Sequence, residues 1–184
     1  MIRKTLIILA MYMVFPAFAD DSRCTRTIGA VTIDGNVIVP AGRSCTLNGT
    51  RVKGNVELRD KAQVLIQNGA TVIGNVQTDG ANRVRILNSN INGNVQLTGI
   101  TNSLRSLILH SHVGGTVDWN DNQAPLLIQY SDVDSDVKVN QNDRATGIYD
   151  NVIGGNLQCQ SNVPAPRGAR NIVDGNKEDQ CARF

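Results

Sequence analysis

Short aliphatic stretches of alternating character return about every twenty residues along this chain, each interrupted by glycine and a small polar residue. The clearest phrase is aliphatic-x-Gly-Asn-aliphatic, seen at Ile33-Asp34-Gly35-Asn36-Val37, Val52-Lys53-Gly54-Asn55-Val56, Val72-Ile73-Gly74-Asn75-Val76 and Ile91-Asn92-Gly93-Asn94-Val95. Weaker copies stand at Val113-Gly114-Gly115-Thr116-Val117 and Val133-Asp134-Ser135-Asp136-Val137. The phrase recovers at Ile153-Gly154-Gly155-Asn156-Leu157 and breaks off at Val173-Asp174-Gly175-Asn176-Lys177. From copy to copy the glycine position advances by 19 to 22 residues. Within a copy, such as Ala70 to Ser89, aliphatic residues alternate over short runs and the turn residues Asp79-Gly80-Ala81-Asn82 separate them. That is strand periodicity, and no segment after the first nineteen residues keeps a helical period for ten residues.

A repeat this short, divided among strands and turns, has no partner within itself for its apolar face, so successive repeats must stack in register. Stacking creates columns. Two residues before the glycine the column reads Ile33, Val52, Val72, Ile91, Val113, Val133, Ile153, Val173, and two residues after it Val37, Val56, Val76, Val95, Val117, Val137, Leu157. The predicted fold is all-β: a single-domain parallel β-helix, right-handed, of about eight coils over residues 20–184. In this reading the Gly-Asn pair is a bend, with glycine supplying positive φ and the asparagines linked amide to amide along the axis.

The first nineteen residues have the layout of a secretory signal peptide. Arg3 and Lys4 are the charged region, Thr5 to Phe15 the apolar run and Ala17-Phe18-Ala19 the cleavage site. This predicts an exported protein, periplasmic or extracellular, with no membrane-inserted segment. Arg3 and Lys4 also account for the whole formal charge of +2. The remainder is neutral and carries no long-range field for nucleic acid.

All four cysteines follow the leader, and Cys24/Cys45 and Cys159/Cys181 are each separated by about one repeat. Stacked strands lie about 4.8 Å apart, within disulfide reach, so the spacing predicts bridges 24–45 and 159–181, one at each end. An export route permits them. The ends themselves are expected to be closed by residues 20–30 and by the Pro164/Pro166 loop with the tail. Exposed strand edges at those ends make edge-to-edge self-association a further expectation.

In these columns and corners the coils resemble the pectate-lyase-like class of right-handed β-helices, and the Gly-Asn-Val phrasing is similar to bactofilin-type scaffolds. The stretch Gly155-Asn156-Leu157-Gln158-Cys159 through Pro164-Ala165-Pro166 to Gly175-Asn176-Lys177 and Gln180-Cys181 looks like the ending of exported bacterial proteins of unassigned function. The resemblance implies a bacterial exported scaffold and supplies no activity.

Candidate chemistry gathers where the phrase decays. Trp119, the one tryptophan, leads into Asn120-Asp121-Asn122-Gln123, and Asn140-Gln141-Asn142-Asp143-Arg144 follows one coil later. An indole beside amides and carboxylates suits sugar rings, which makes Trp119, Asn120, Asp121, Asn142, Asp143 and Arg144 the candidate ligand-binding set. The competing reading puts Trp119 in the core, in a column with Leu58, Leu97 and Val139. Asp132, Asp134 and Asp136 lie on one side of a straight strand, as a solvated face and bend or as a weak calcium site. His110 and His112 alternate along a strand; His112 shares a column with Asp132, which suits a surface ion pair, whereas a metal site lacks a third ligand. No Gly-x-Ser-x-Gly order or phosphate loop occurs. The sequence therefore predicts no catalytic residues, metal or cofactor. It points to a structural or interaction module of the cell envelope or extracellular space with a protein or polysaccharide partner. The alternative is a carbohydrate-binding protein, polysaccharide lyase or hydrolase using the face at 119–144.

Overall fold

The computed structural model describes residues 21–184; the leader expected at 1–19 lies outside the described residues. Those residues form no helix, and their strands, two to five residues long, join three parallel sheets. The first sheet has nine strands, from Ser22–Arg23 to Lys177–Asp179. The second has eight, from Thr27–Ile28 to Arg167–Ala169, and the third eight, from Thr32–Ile33 to Ile172–Val173. The chain visits the three sheets in turn and pairs each strand with its counterpart one coil away, which makes a β-solenoid of about eight turns. Both aliphatic columns are in register along the stack: Val52 aligns with Ile33 and Val72, Ile91 with Val72 and Val113, and Val95 with Val76 and Val117. Their side chains are almost all buried, each worth about 1.5–3 kcal/mol of transfer free energy. That burial replaces the helices that cover parallel sheets in other folds.

The Gly-Asn corner joins the third sheet to the first, and its chemistry differs from the expectation. None of the repeat glycines has positive φ; the positive-φ glycines are Gly42, Gly49, Gly69, Gly80 and Gly99. Glycine is required here because the coils approach closely. A Cβ on Gly74 would lie 2.3 Å from Asn55 Oδ1 and 2.7 Å from the Gly54 carbonyl oxygen. The asparagines do not link amide to amide either. Each Oδ1 accepts the backbone N–H of the next coil: Asn36 from Asn55, Asn55 from Asn75 and Asn75 from Asn94, all at 2.8 Å. In parallel the glycine N–H groups donate to the glycine carbonyl one coil earlier, as from Gly74 to Gly54 at 3.1 Å.

This geometry ties each asparagine to the glycine of the following coil, and the one coil whose slot holds neither an amide nor a carboxylate shows the tie. Thr116 stands in the asparagine slot, brings no amide oxygen over the next coil, and the next glycine slot holds Ser135. The hydroxyl of Thr116 donates to that of Ser135 at 3.2 Å. Asp136 then restores the oxygen by accepting the Asn156 N–H at 2.8 Å, and Gly155 is again obligatory, since its Cβ would meet Asp136 Oδ1 at 2.4 Å.

Both predicted disulfides are present, with Cα separations of 5.4 Å for Cys24–Cys45 and 5.3 Å for Cys159–Cys181. At the C-terminal end Lys177 occupies the valine column and turns its Nζ to the carbonyls of Asn171 and Phe184. The tail from Gln180 onward closes this end. The Pro164/Pro166 segment leads from the first sheet into Arg167–Ala169, the terminal strand of the second. The asparagine–glycine tie has a measurable consequence. Gly74→Ser should destabilise the fold by about 1–3 kcal/mol through overpacking, and combining it with Asn55→Thr should cost less than the sum of the two single changes. A double-mutant cycle from denaturant unfolding measures that coupling, and strictly additive losses would refute it.

Candidate functional site

The register sets Trp119 between Leu97 and Val139 in the first sheet, and its side chain is 0% exposed. Its indole N–H meets no acceptor, so packing alone holds it. Asn142 is equally buried. Its Nδ2 donates to the Trp119 carbonyl at 3.0 Å and to Asn162 Oδ1 at 2.9 Å, while its Oδ1 accepts the N–H of Asn122 at 3.1 Å and the Nδ2 of Asn122 at 2.9 Å. Every hydrogen-bonding valence of that amide is occupied. Trp119 and Asn142 are therefore withdrawn from the expected ligand set: one fills the core and the other builds the corner between the first and second sheets. Of the remaining residues, Asn120 aligns with Thr98 and Asn140, and Asp121, Asp143 and Arg144 are exposed. Asp121 is the left-handed residue of its corner, with φ 53°, and Arg144 donates to the Asp143 backbone carbonyl at 3.1 Å. The pattern recurs as Gln160-Ser161-Asn162, a third copy that marks it as corner architecture.

The other expected clusters are also resolved by register. His112 aligns with Asp132, but its Nε2 pairs with Asp134 Oδ1 at 3.0 Å instead, because Asp134 lies diagonally within reach and both side chains are exposed. His110 stacks on Tyr130, ring centroids 4.9 Å apart and 9° from parallel. Asp136 serves the bend. Its carboxyl is held below the ordinary aspartate value mainly by the Asn156 N–H, against a smaller opposing effect of burial, with Lys138 adding to the lowering. Among the described residues, no group of three or more His, Cys, Asp or Glu side chains is placed to hold a metal ion.

What distinguishes the surface is the contrast between the sheets. Most outward positions of the first sheet are amides and acids, with Ile38 and Lys138 among the exceptions, and Glu57, Gln77, Asp79, Gln96 and Asp118 line a shallow concavity of about 450 Å³ beside Arg59. The outward column of the third sheet is polar from Thr32 through Thr71 and Asn90 to Asp132 and ends in the exposed Val152 and Ile172. The outside of the second sheet carries half-buried leucines among polar and cationic residues. One outward column reads Thr46, Leu65, Arg85, Leu107, Leu127, Gly147, Arg167, and its neighbour Asn48, Gln67, Leu87, Leu109, Gln129, Tyr149, Ala169. No strand of this sheet contains an aspartate or glutamate. Gly147 leaves a notch of about 210 Å³ flanked by Arg105, Leu127, Tyr149 and Arg167.

This face escaped the sequence reading although the signal was present. Val64-Leu65-Ile66 and Leu107-Ile108-Leu109 are continuous apolar runs, the mark of a strand covered on both faces, and they are easily taken for a single core-facing register.

Two outcomes follow. Because the folded pKa of Asp136 is depressed, its stabilisation is present above the ordinary carboxylate range and is lost as pH falls through the folded value. Asp136→Asn keeps the acceptor without titrating, so the stability difference should shift in favour of the variant between pH 7 and pH 2.5; a difference independent of pH in urea unfolding would refute the assignment. Trp119 fluorescence should be blue-shifted, weakly quenched by acrylamide and unchanged by added oligosaccharides, whereas red-shifted, readily quenched emission would return the indole to the surface. Comparison with protein-family models, with curated proteins and with solved structures matches nothing, so the likeness to pectate-lyase and bactofilin coils rests on the residues alone.

Proposed function

We propose that this chain is an exported, non-catalytic interaction module: a rigid β-solenoid whose contact face is the outer face of the second sheet. The observation that carries this reading is the row of outward leucines, Leu65, Leu87, Leu107, Leu109 and Leu127. A solenoid sheet needs one apolar face, and the inner face already supplies Val64, Val84, Ile86, Ile108 and Ile128 to the core. These outward leucines are half-buried and add nothing to that core, and apolar groups clustered on the water side in this way serve association. Tyr149 lies on the same face and Tyr130 at its rim, so both described tyrosines adjoin it, together with Arg83, Arg85, Arg105 and Arg167. Tyrosine and arginine are the residues that protein contacts favour. The two disulfides are compatible with an oxidising, exported location. A carbohydrate-binding role at 119–144 lacks its aromatic platform once Trp119 is in the core.

Photo-crosslinking residues placed at Leu107 or Leu127, at Gln96 on the first sheet and at Asn90 on the third distinguish the faces. Adducts in producing cells should form from the second-sheet positions and not from the other two. Equal yield from all three faces, or none from the second, would overturn the assignment. Release of new ends from a polysaccharide, lost in Asp121→Asn or Asp143→Asn, would establish an enzyme instead.

A further inference from the structure

Three arginines on the second-sheet face have a placement that core packing does not require. Arg85 sits in register between Leu65 and Leu107, with an aliphatic neighbour on each side along the axis. Its Nε is shielded from water and has no hydrogen-bond partner. Arg83, two residues earlier, projects from the same face and aligns with Gln63; its Nε donates to the backbone carbonyl of Arg105 in the next coil at 2.9 Å, which fixes its guanidinium plane. The side chain of Arg105 is exposed and borders the notch at Gly147 together with Arg167. The ion pairs among the described residues engage Lys53, Arg59, Lys61, His112, Lys138 and Arg170, and none of these three arginines. The strands of the sheet contain no carboxylate to neutralise them. The Arg83 guanidinium is held below its usual value, first by desolvation and second by Arg85, as expected of like charges crowded together without a counter-ion.

Resting on the reading of this face as the contact surface, we infer that Arg83 and Arg85 form a carboxylate-binding site for an acidic segment of a partner protein, one that carries aliphatic side chains beside its carboxylates. The guanidinium fork matches a carboxylate in two parallel hydrogen bonds, and a carboxylate arriving at the terminal guanidinium nitrogens of Arg83 and Arg85 relieves the repulsion between them. The leucines decide the class of partner. Charge alone would suit any polyanion, but Leu65, Leu107 and Leu127 run through the same column as Arg85 and need apolar groups opposite them, which a protein segment supplies and a glycan of hydroxyls and uronates does not.

The test is fluorescence anisotropy with three probes: a labelled peptide of alternating leucine and glutamate, poly-glutamate, and polygalacturonate. The wild-type protein is compared with Arg83→Gln/Arg85→Gln, Leu107→Ser/Leu127→Ser and, as a control on the third sheet, Arg51→Gln. Thermal melts establish that these surface variants are folded. The Leu/Glu peptide should bind the wild type most tightly and more weakly in high salt. Its affinity should fall at least about tenfold in the arginine double variant, since a charge-assisted hydrogen bond is worth about 1.5–3 kcal/mol. It should fall in the leucine variant as well and stay unchanged in Arg51→Gln. Loss in the leucine variant with full binding in the arginine variant overturns the carboxylate site and leaves the contact face standing. Binding unaffected by either variant, or no binding of the peptide, overturns the site, and the former removes the face as well. Tighter, arginine-dependent binding of polygalacturonate overturns the protein partner in favour of a glycan.

Discussion

Every coil of this molecule must turn three corners, and at each corner backbone N–H groups leave the strand ladder. Buried and unpaired, each would cost about 1–3 kcal/mol, repeated in coil after coil. The chain meets this constraint with a side-chain oxygen from the adjacent coil. Asparagines 36, 55, 75, 94 and 156, with Asp136, do so between the third and first sheets. Asn122, Asn142 and Asn162 do so between the first and second, closed by Gln180, whose Oε1 accepts both the N–H and the Nδ2 of Asn162 at 2.9 Å. Ser111, Ser131, Asn151 and Asn171 serve the third corner. The aliphatic columns supply most of the burial, but the corner oxygens keep those columns in one register, because sliding a coil by one residue would orphan the corners that they serve.

The architecture was legible because a solenoid converts spacing into contact. Residues one repeat apart in sequence are neighbours in space, so the Ile33-to-Val173 column, both disulfides and the aliphatic slot of Trp119 could be read by counting. The reasons behind residues were less accessible. Glycine meets two unrelated demands, left-handed backbone and the absence of a Cβ, and the letter is the same for both; Gly80 and Gly99 answer the first, Gly74 and Gly93 the second. The partner of His112 was missed for a related reason: register identifies Asp132 as the lateral neighbour, while a long side chain reaches the diagonal one.

The decay of the phrase between Gly115 and Asp136 illustrates how a conspicuous irregularity can be internal. Thr116 and Ser135 change together because one removes the oxygen that would collide with the other. The run from Trp119 to Arg144 likewise resolves into a buried indole, a corner and its inward asparagine. The surface that does stand apart lay in segments that looked ordinary. In Leu107-Ile108-Leu109 the inward and outward residues are both aliphatic, so the alternation that separates core from surface vanishes where the surface is most unusual.

The corner oxygens do not all point the same way. Between the third and first sheets each side chain reaches forward to the coil that follows, as Asn55 does to Asn75; at the other two corners it reaches back, as Asn142 does to Asn122. A cut between any two coils therefore strands acceptors and donors on both sides of the break, and a shortened stack has no naturally finished end. An extra whole coil, by contrast, reproduces both directions and leaves every bond satisfied. Length in such a molecule is quantised: it can change by duplication or loss of complete coils between its two fixed ends, and the axial extent of its second sheet changes in the same steps.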